Sequence, residues 1–205
     1  MIKPRADAVR NRERVLEAAR VSHAMTGSAL CMQEVARRAG VGVGTVYRHF
    51  PSRQELIDAV AHPFFERGLE IAREIAETEP EADRFARFTR ALAEELAANG
   101  VQGHCLWDAP AAQPVRIELR AVVATFVEAG RRAGTLRPDL TAEDVFALLW
   151  TLAALIEATD GRHPEVWRRH LELQLDGIGS GAPQELAVPP FDLERWDDFV
   201  QSATR

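Results

Sequence analysis

Between Met32 and Phe50 the chain sets three alternating glycines, Gly40, Gly42 and Gly44, between two short segments of helical period. No other stretch limits the fold as strongly. Glycines at this density either cradle a phosphate behind a β-strand or turn one helix onto another. The preceding segment, Met32-Gln-Glu-Val-Ala-Arg-Arg-Ala39, places Met32, Val35, Ala36 and Ala39 on one side at helical spacing, so it is not a strand. No Lys-Ser/Thr pair follows the glycines. The spacing therefore predicts helix, glycine turn and short helix over about 32–51, with the second helix at about Thr45 to Phe50.

Elsewhere β-branched runs are short and apolar residues recur every three to four positions, which predicts an all-α chain. A first helix is expected from about Ala6 to Met25, burying Val9, Val15, Leu16, Ala18 and Ala19 and ending at Gly27. Ser52-Arg53-Gln54-Glu55 has the pattern of a capping box and opens another helix. Pro63 lacks a backbone donor and predicts a break near His62. Further helices are expected at about Phe64 to Glu77, Glu81 to Ala98, Pro114 to Ala133, Ala142 to Thr159 and Pro164 to Ile178, with a last turn at Leu193 to Val200. The expected organisation is a helix-turn-helix domain over 1–52, a connecting helix over 53–63 and a helical body over 64–205.

Charge separates the same regions. Residues 1–53 hold ten Lys/Arg against four Asp/Glu, a balance of +6, while the other 152 residues hold 15 against 27, a balance of −12. A basic end on an acidic body suits a chain that meets a polyanion at one end only. The most apolar run, Val145 to Ile156, is shorter than a membrane span, and the charged N-terminus has no apolar stretch behind it, so a cytoplasmic protein without membrane contact is expected. Cys31 and Cys105 are too few for a disulfide framework or a zinc site, and no cofactor motif is present.

After the glycines, Thr45, Tyr47, Arg48 and His49 crowd polar and amphipathic groups onto one short helix, while Val46 and Phe50 are spaced to face a core. Tyr47 is the only tyrosine in the chain. Arg53 lies in the first turn of the next helix, where a cation opposes the helix dipole and a phosphate would balance it. The expected DNA-facing set is Gln33, Val43, Gly44, Thr45, Tyr47, Arg48, His49 and Arg53.

Residues about 9–62 resemble the DNA-binding domain of the tetracycline-repressor-like (TetR) family. The likeness lies in Arg14-Val-Leu-Glu-Ala-Ala19, Gly27, Glu34-Val-Ala-Arg-Arg-Ala-Gly-Val41, Gly44-Thr-Val-Tyr-Arg-His-Phe50 and Arg53-Gln-Glu-Leu56. It implies that Thr45, Tyr47 and His49 contact operator DNA with help from Arg53. It also implies a homodimer whose C-terminal helical domain binds a small-molecule effector, usually as a repressor of a palindromic operator. Gly42 and Val43 stand where many members carry Ser and then a basic residue or Pro, and the segment is similar to a branch with Gly-Val-Gly-x-Gly-Thr-x-Tyr-Arg-His-Phe. Cys31 stands near the usual Ser/Thr cap, and His23 replaces a common phenylalanine.

The helix expected from Ala142 is apolar around almost its whole circumference, which requires burial on more than one side. Together with the helix after it, this predicts a subunit interface through Phe146, Leu149, Ala153, Trp167, His170 and Leu171. Thr141 is expected to cap that helix. Phe85, Phe88, His104, Trp107, Phe126 and Trp150 are candidates for an effector pocket, with aromatic core filling the other account of each. His104-Cys105 lacks a third metal ligand. The alternative to a regulator is an α-helical enzyme or small-molecule carrier, though the chain holds no Gly-x-Ser-x-Gly or His-Glu-x-x-His motif.

Overall fold

The computed structural model describes residues 3–22, 30–99, 109–159 and 163–179. They form α1 (Lys3–Ser22), α2 (Met32–Ala39), α3 (Val43–His49), α4 (Arg53–Thr78), α5 (Glu81–Asn99), a 3-10 turn (Pro110–Ala112), α6 (Gln113–Arg132), α7 (Ala142–Ala158) and α8 (Pro164–Ile178). Among the described residues there is no strand, only an isolated antiparallel bridge between Leu136 and Gly179. The expected turn of helix at Leu193 to Val200 and the end of the first helix at Gly27 lie outside the described residues.

Helices α1 to α3 close on one small core. Val15, Ala18 and Ala19 of α1 meet Met32, Val35, Ala36 and Ala39 of α2, and Val46 and Phe50 complete it from α3 and its end. Val9, expected in this core, is 57% exposed and lies outside it, while Val15 on the same helix is fully enclosed. Helix α3 starts at Val43, two residues before the expected start, since Gly42 in an extended conformation serves as N-cap and its carbonyl accepts from the Thr45 amide at 2.8 Å.

The expected break at His62 is absent. Helix α4 runs 26 residues through Pro63, joining two segments that the sequence suggested were separate. Pro63 is exposed, while Ala59, whose carbonyl it leaves without a donor, is half-buried. Leu56, Ile57, Val60 and Ala61 before it, and Phe64, Phe65, Leu69 and Ala72 after it, are all buried. Burial at roughly 1.5–3 kcal/mol for each large side chain outweighs the ~3 kcal/mol that an interior proline costs.

In the body, α6 packs along α4 and α5, and α7 lies on α5 and α8. Phe65, Phe85, Phe88, Phe126, Leu92, Leu119, Leu152 and Trp167 are its largest enclosed side chains. Gly68 lets α4 pass close to its neighbours: a Cβ there would stand 3.2 Å from Leu119 Cδ2 and 3.3 Å from Leu92 Cδ1. Helix α7 begins with the expected cap, and in full form. The Thr141 hydroxyl accepts from the Asp144 amide while the Asp144 carboxylate accepts from the Thr141 amide at 2.9 Å.

Candidate nucleic-acid interface

The three glycines of the opening run have separate jobs. Gly40 sits at φ 63°, the left-handed conformation that ends a helix. Its amide bonds the Arg37 carbonyl at 3.2 Å and the Val41 amide bonds the Ala36 carbonyl at 3.0 Å, the paired bonds of a Schellman end. A Cβ at Gly40 would also stand 2.6 Å from an Arg14 guanidinium nitrogen. Gly42, at φ −69° and ψ 145°, has a conformation open to any residue, and neither it nor Gly44 has an atom within 4 Å of a Cβ built there. Only Gly40 is required by the backbone.

Burial divides α3 in two. Val46 and, just past the helix, Phe50 are enclosed, whereas Val43, Gly44, Tyr47 and Arg48 form an outward arc and Thr45 and His49 a half-buried flank. Tyr47 is 45% exposed although it is aromatic. Two arginines of α1 brace this assembly: Arg12 lies over the Phe50 ring at 5.2 Å, and Arg14 points at the Gly40 carbonyl. Neither contact was expected from the sequence, although both arginines lie on α1 close to its buried Val15.

Arg53 is the first residue of α4, half-buried, and among the described residues its enclosed Nε has no hydrogen-bond partner. Buried guanidinium nitrogens are ordinarily satisfied, so an acceptor is owed to this one. The Ser52 hydroxyl caps the same helix end by accepting from the Glu55 amide at 3.1 Å. On α2 the charges are spent internally. Glu34 accepts from Arg37 at 2.5 and 2.7 Å and from Arg38 at 2.8 Å, and these bonds, Arg37 first, hold its carboxyl at about 2, well below the usual 4.5. Gln33 is exposed on α2, its side-chain oxygen 3.2 Å from the Cys31 sulfur, and Cys31 gives α2 no side-chain cap.

In the body, Phe85 and Phe88 of α5 and Phe126 of α6 are enclosed, with Phe88 edge-on to Phe126 at 5.9 Å between centroids. Trp150 is half-buried on α7, and His104 and Trp107 lie outside the described residues. Of the six interface candidates, Phe146, Leu149, Ala153, Trp167 and Leu171 are buried within the single chain, and His170 alone is half-exposed. The apolar character of α7 that pointed to a partner is largely consumed by α5, α6 and α8. Exposed on α7 are the small residues Thr151, Ala154 and Ala158, with Ala147 half-buried beside them, and on α8 a stripe of Val166, the half-buried His170 and Leu173, the last 58% exposed.

Residues 15–60 match the family described as bacterial regulatory proteins, tetR family, and residues 81–180 match the C-terminal domain of SbtR-like transcriptional regulators. A TetR transcription regulatory protein from Mycobacterium vanbaalenii is 34% identical, over 85% of this chain and 98% of that one, with a TM-score of 0.46. The chain belongs to the TetR family. The TetR regulator SCO0520 from Streptomyces coelicolor is 27% identical over 83% of this chain and 99% of that one, at a TM-score of 0.52. The TetR-family regulator PfmR from Thermus thermophilus shares the fold, at 20% identity, 80% and 98% coverage and a TM-score of 0.61. No curated protein matches the chain. As a TetR-family transcriptional regulator, the protein carries its DNA-binding helix-turn-helix at the basic end, and none of the helices described is long and apolar enough to cross a membrane.

Proposed function

We propose that this TetR-family protein is a homodimeric repressor that holds a palindromic operator and releases it when a small molecule binds the body. The observation that carries the operator half is the split of α3. Its stability rests on Val46 and Phe50, which leaves Val43, Gly44, Tyr47 and Arg48 outward with Thr45 and His49 beside them, and Arg53 at the next helix start lacks an acceptor for Nε. Such an arc fits the major groove, with Tyr47 and Arg53 on phosphates and Thr45, Arg48 and His49 towards base edges. Gln33 approaches the same backbone from α2. The bare Gly44, with open space where a Cβ would stand, lets the duplex come close to α3.

The two copies meet, in this proposal, through the small-residue face of α7 and the Val166–His170–Leu173 stripe of α8. A closed two-fold interface sets two recognition helices about one DNA turn apart, ~34–36 Å. Coupling runs along α4, which belongs both to the segment over 53–63 and to the body. The Asp58 carboxylate accepts from the Ala111 amide at 3.2 Å and Arg116 of α6 covers the Phe65 ring at 5.7 Å, so a shift of the 3-10 turn and α6 carries to the helix that begins with Arg53. An effector among Phe88, Phe126 and Trp150 would act through this path.

The test is binding of the purified full chain to DNA upstream of its own gene, followed by fluorescence anisotropy over a range of salt. Tyr47→Ala is expected to weaken binding tenfold or more, and Arg53→Gln to weaken it on every sequence and to reduce the salt slope by about one. If neither variant alters affinity or slope, the operator proposal fails.

A further inference from the structure

Helix α8 has three faces. Trp167 and Leu171 are buried against the body, Val166, the half-exposed His170 and Leu173 turn outward, and the third face turns towards α5. On that third side the backbones of α5 and α8 stay apart and long side chains span the space between them. Arg90 grips Glu172 at 2.7 and 2.8 Å, and Arg168 grips Glu94 at 2.8 Å on both nitrogens. The crossed pairing of 90 with 172 and 94 with 168 makes the helices antiparallel and fixes their register. The turn before α7 closes the far end, where the Arg137 amide bonds the Ile178 carbonyl at 3.0 Å.

Within this frame lies a cleft of about 650 Å³ with Phe85, Leu136 and Leu175 among the apolar residues that line it. Its charges are sorted by end. Both bridges are internally neutral, so among the described residues three charged side chains along the cleft are left without an ion pair: Arg169 near the bridges, and Asp83 and Asp176 near the closed end. Asp176 lies in the last turn of α8, where the helix dipole opposes a carboxylate. Arg169 and Asp176 are seven residues apart on one helix, a rise of about 10 Å.

We infer that this cleft binds an elongated small molecule with an apolar body, a carboxylate at one end and an ammonium group at the other. The carboxylate meets Arg169, the ammonium sits between Asp83 and Asp176, and the body covers Phe85, Leu136 and Leu175. This cleft is separate from the Phe88–Phe126 contact, and it shares with the proposed dimer face only Leu173 at its rim. Binding is measured on the protein without DNA.

The probe is ω-aminooctanoate, whose charged ends are about 10 Å apart, titrated calorimetrically into the full chain beside octanoate and octylamine, which keep one end each. The two-ended probe is expected to bind at least tenfold more tightly than either control. Arg169→Gln is expected to bring it down to the level of octylamine and Asp176→Asn to that of octanoate, with circular dichroism unchanged in both because these side chains are exposed. Equal affinity for the three probes, no measurable binding, or binding indifferent to both substitutions would overturn the inference while leaving the operator measurements as they stand.

Discussion

Helices α3 and α7 begin in opposite ways. Helix α7 opens with a reciprocal Thr141–Asp144 cap, runs 17 residues and buries eight of them. Helix α3 has seven residues, starts at a glycine with no side-chain cap, and buries Val46 alone. A helix that short is not stable in isolation, so α3 exists because α1 and α2 hold it. The difference separates a helix whose side chains serve the fold from one whose side chains are left for something outside it. Charge follows the same division: the end that carries α3 is basic and the body that contains α7 is acidic.

The largest effect should come from removing the anchor of the body. Trp167 is 2% exposed and, with Leu171, fastens α8 to the rest. Trp167→Ala is expected to cost ~3–5 kcal/mol, read as a fall in the chemical-denaturation midpoint of the full chain. A cost below about 1 kcal/mol would mean that α8 is held by its Arg–Glu bridges instead, and the contrast between a self-sufficient body and a supported α3 would weaken. Next in size is the cap of α7. Thr141→Ala removes the acceptor of the Asp144 amide and should cost about 1 kcal/mol, measured in the same way, with operator affinity unchanged.

Acid sharpens the comparison on the other side. Glu34 of α2 is held at about 2 by Arg37 and Arg38, against 4.5 when free, so the folded state releases this proton more readily than the unfolded one. Its contribution is complete above pH about 4.5 and is withdrawn as the pH falls towards 2. Glu34→Gln should therefore lower stability modestly at neutral pH and flatten the acid limb of a urea-denaturation series between those values. A series that superimposes on the parent's would show the three-way contact to be negligible in water.

The helical class, the position of almost every helix and the division of α3 into a core side and an outward side were legible from apolar spacing alone, because a 3.6-residue period survives without its context. Three features were not. The continuity of α4 through Pro63 depends on the proline facing solvent while its neighbours on both sides are buried, a fact of packing that no local rule contains. Val9 is exposed while Val15 on the same helix is enclosed, a difference that helical spacing alone does not make. The subunit face was drawn through core residues for the same reason: the sequence shows that α7 is apolar, and only the fold decides that Phe146, Leu149 and Ala153 turn inward, leaving the smaller Ala154 and Ala158 outside.

The smallest expected effect isolates what the glycines of α3 are for. Gly42 has an ordinary extended backbone, no neighbour within 4 Å of a Cβ, and the N-cap position that serine favours. Gly42→Ser supplies the missing acceptor for the first-turn amides and should raise stability by a few tenths of a kcal/mol, since glycine is itself a tolerated cap. A denaturation midpoint that rises while operator affinity holds or improves makes Gly42 merely a weaker cap. A midpoint that rises while affinity falls makes its bareness a requirement of the docked DNA, because a Cβ with no protein atom beyond its chain neighbours within 4 Å leaves the duplex as the group it would crowd. The left-handed Gly40 is the control: Gly40→Ala forces a backbone conformation that L side chains disfavour and pushes the Arg14 guanidinium aside, and loses both properties together.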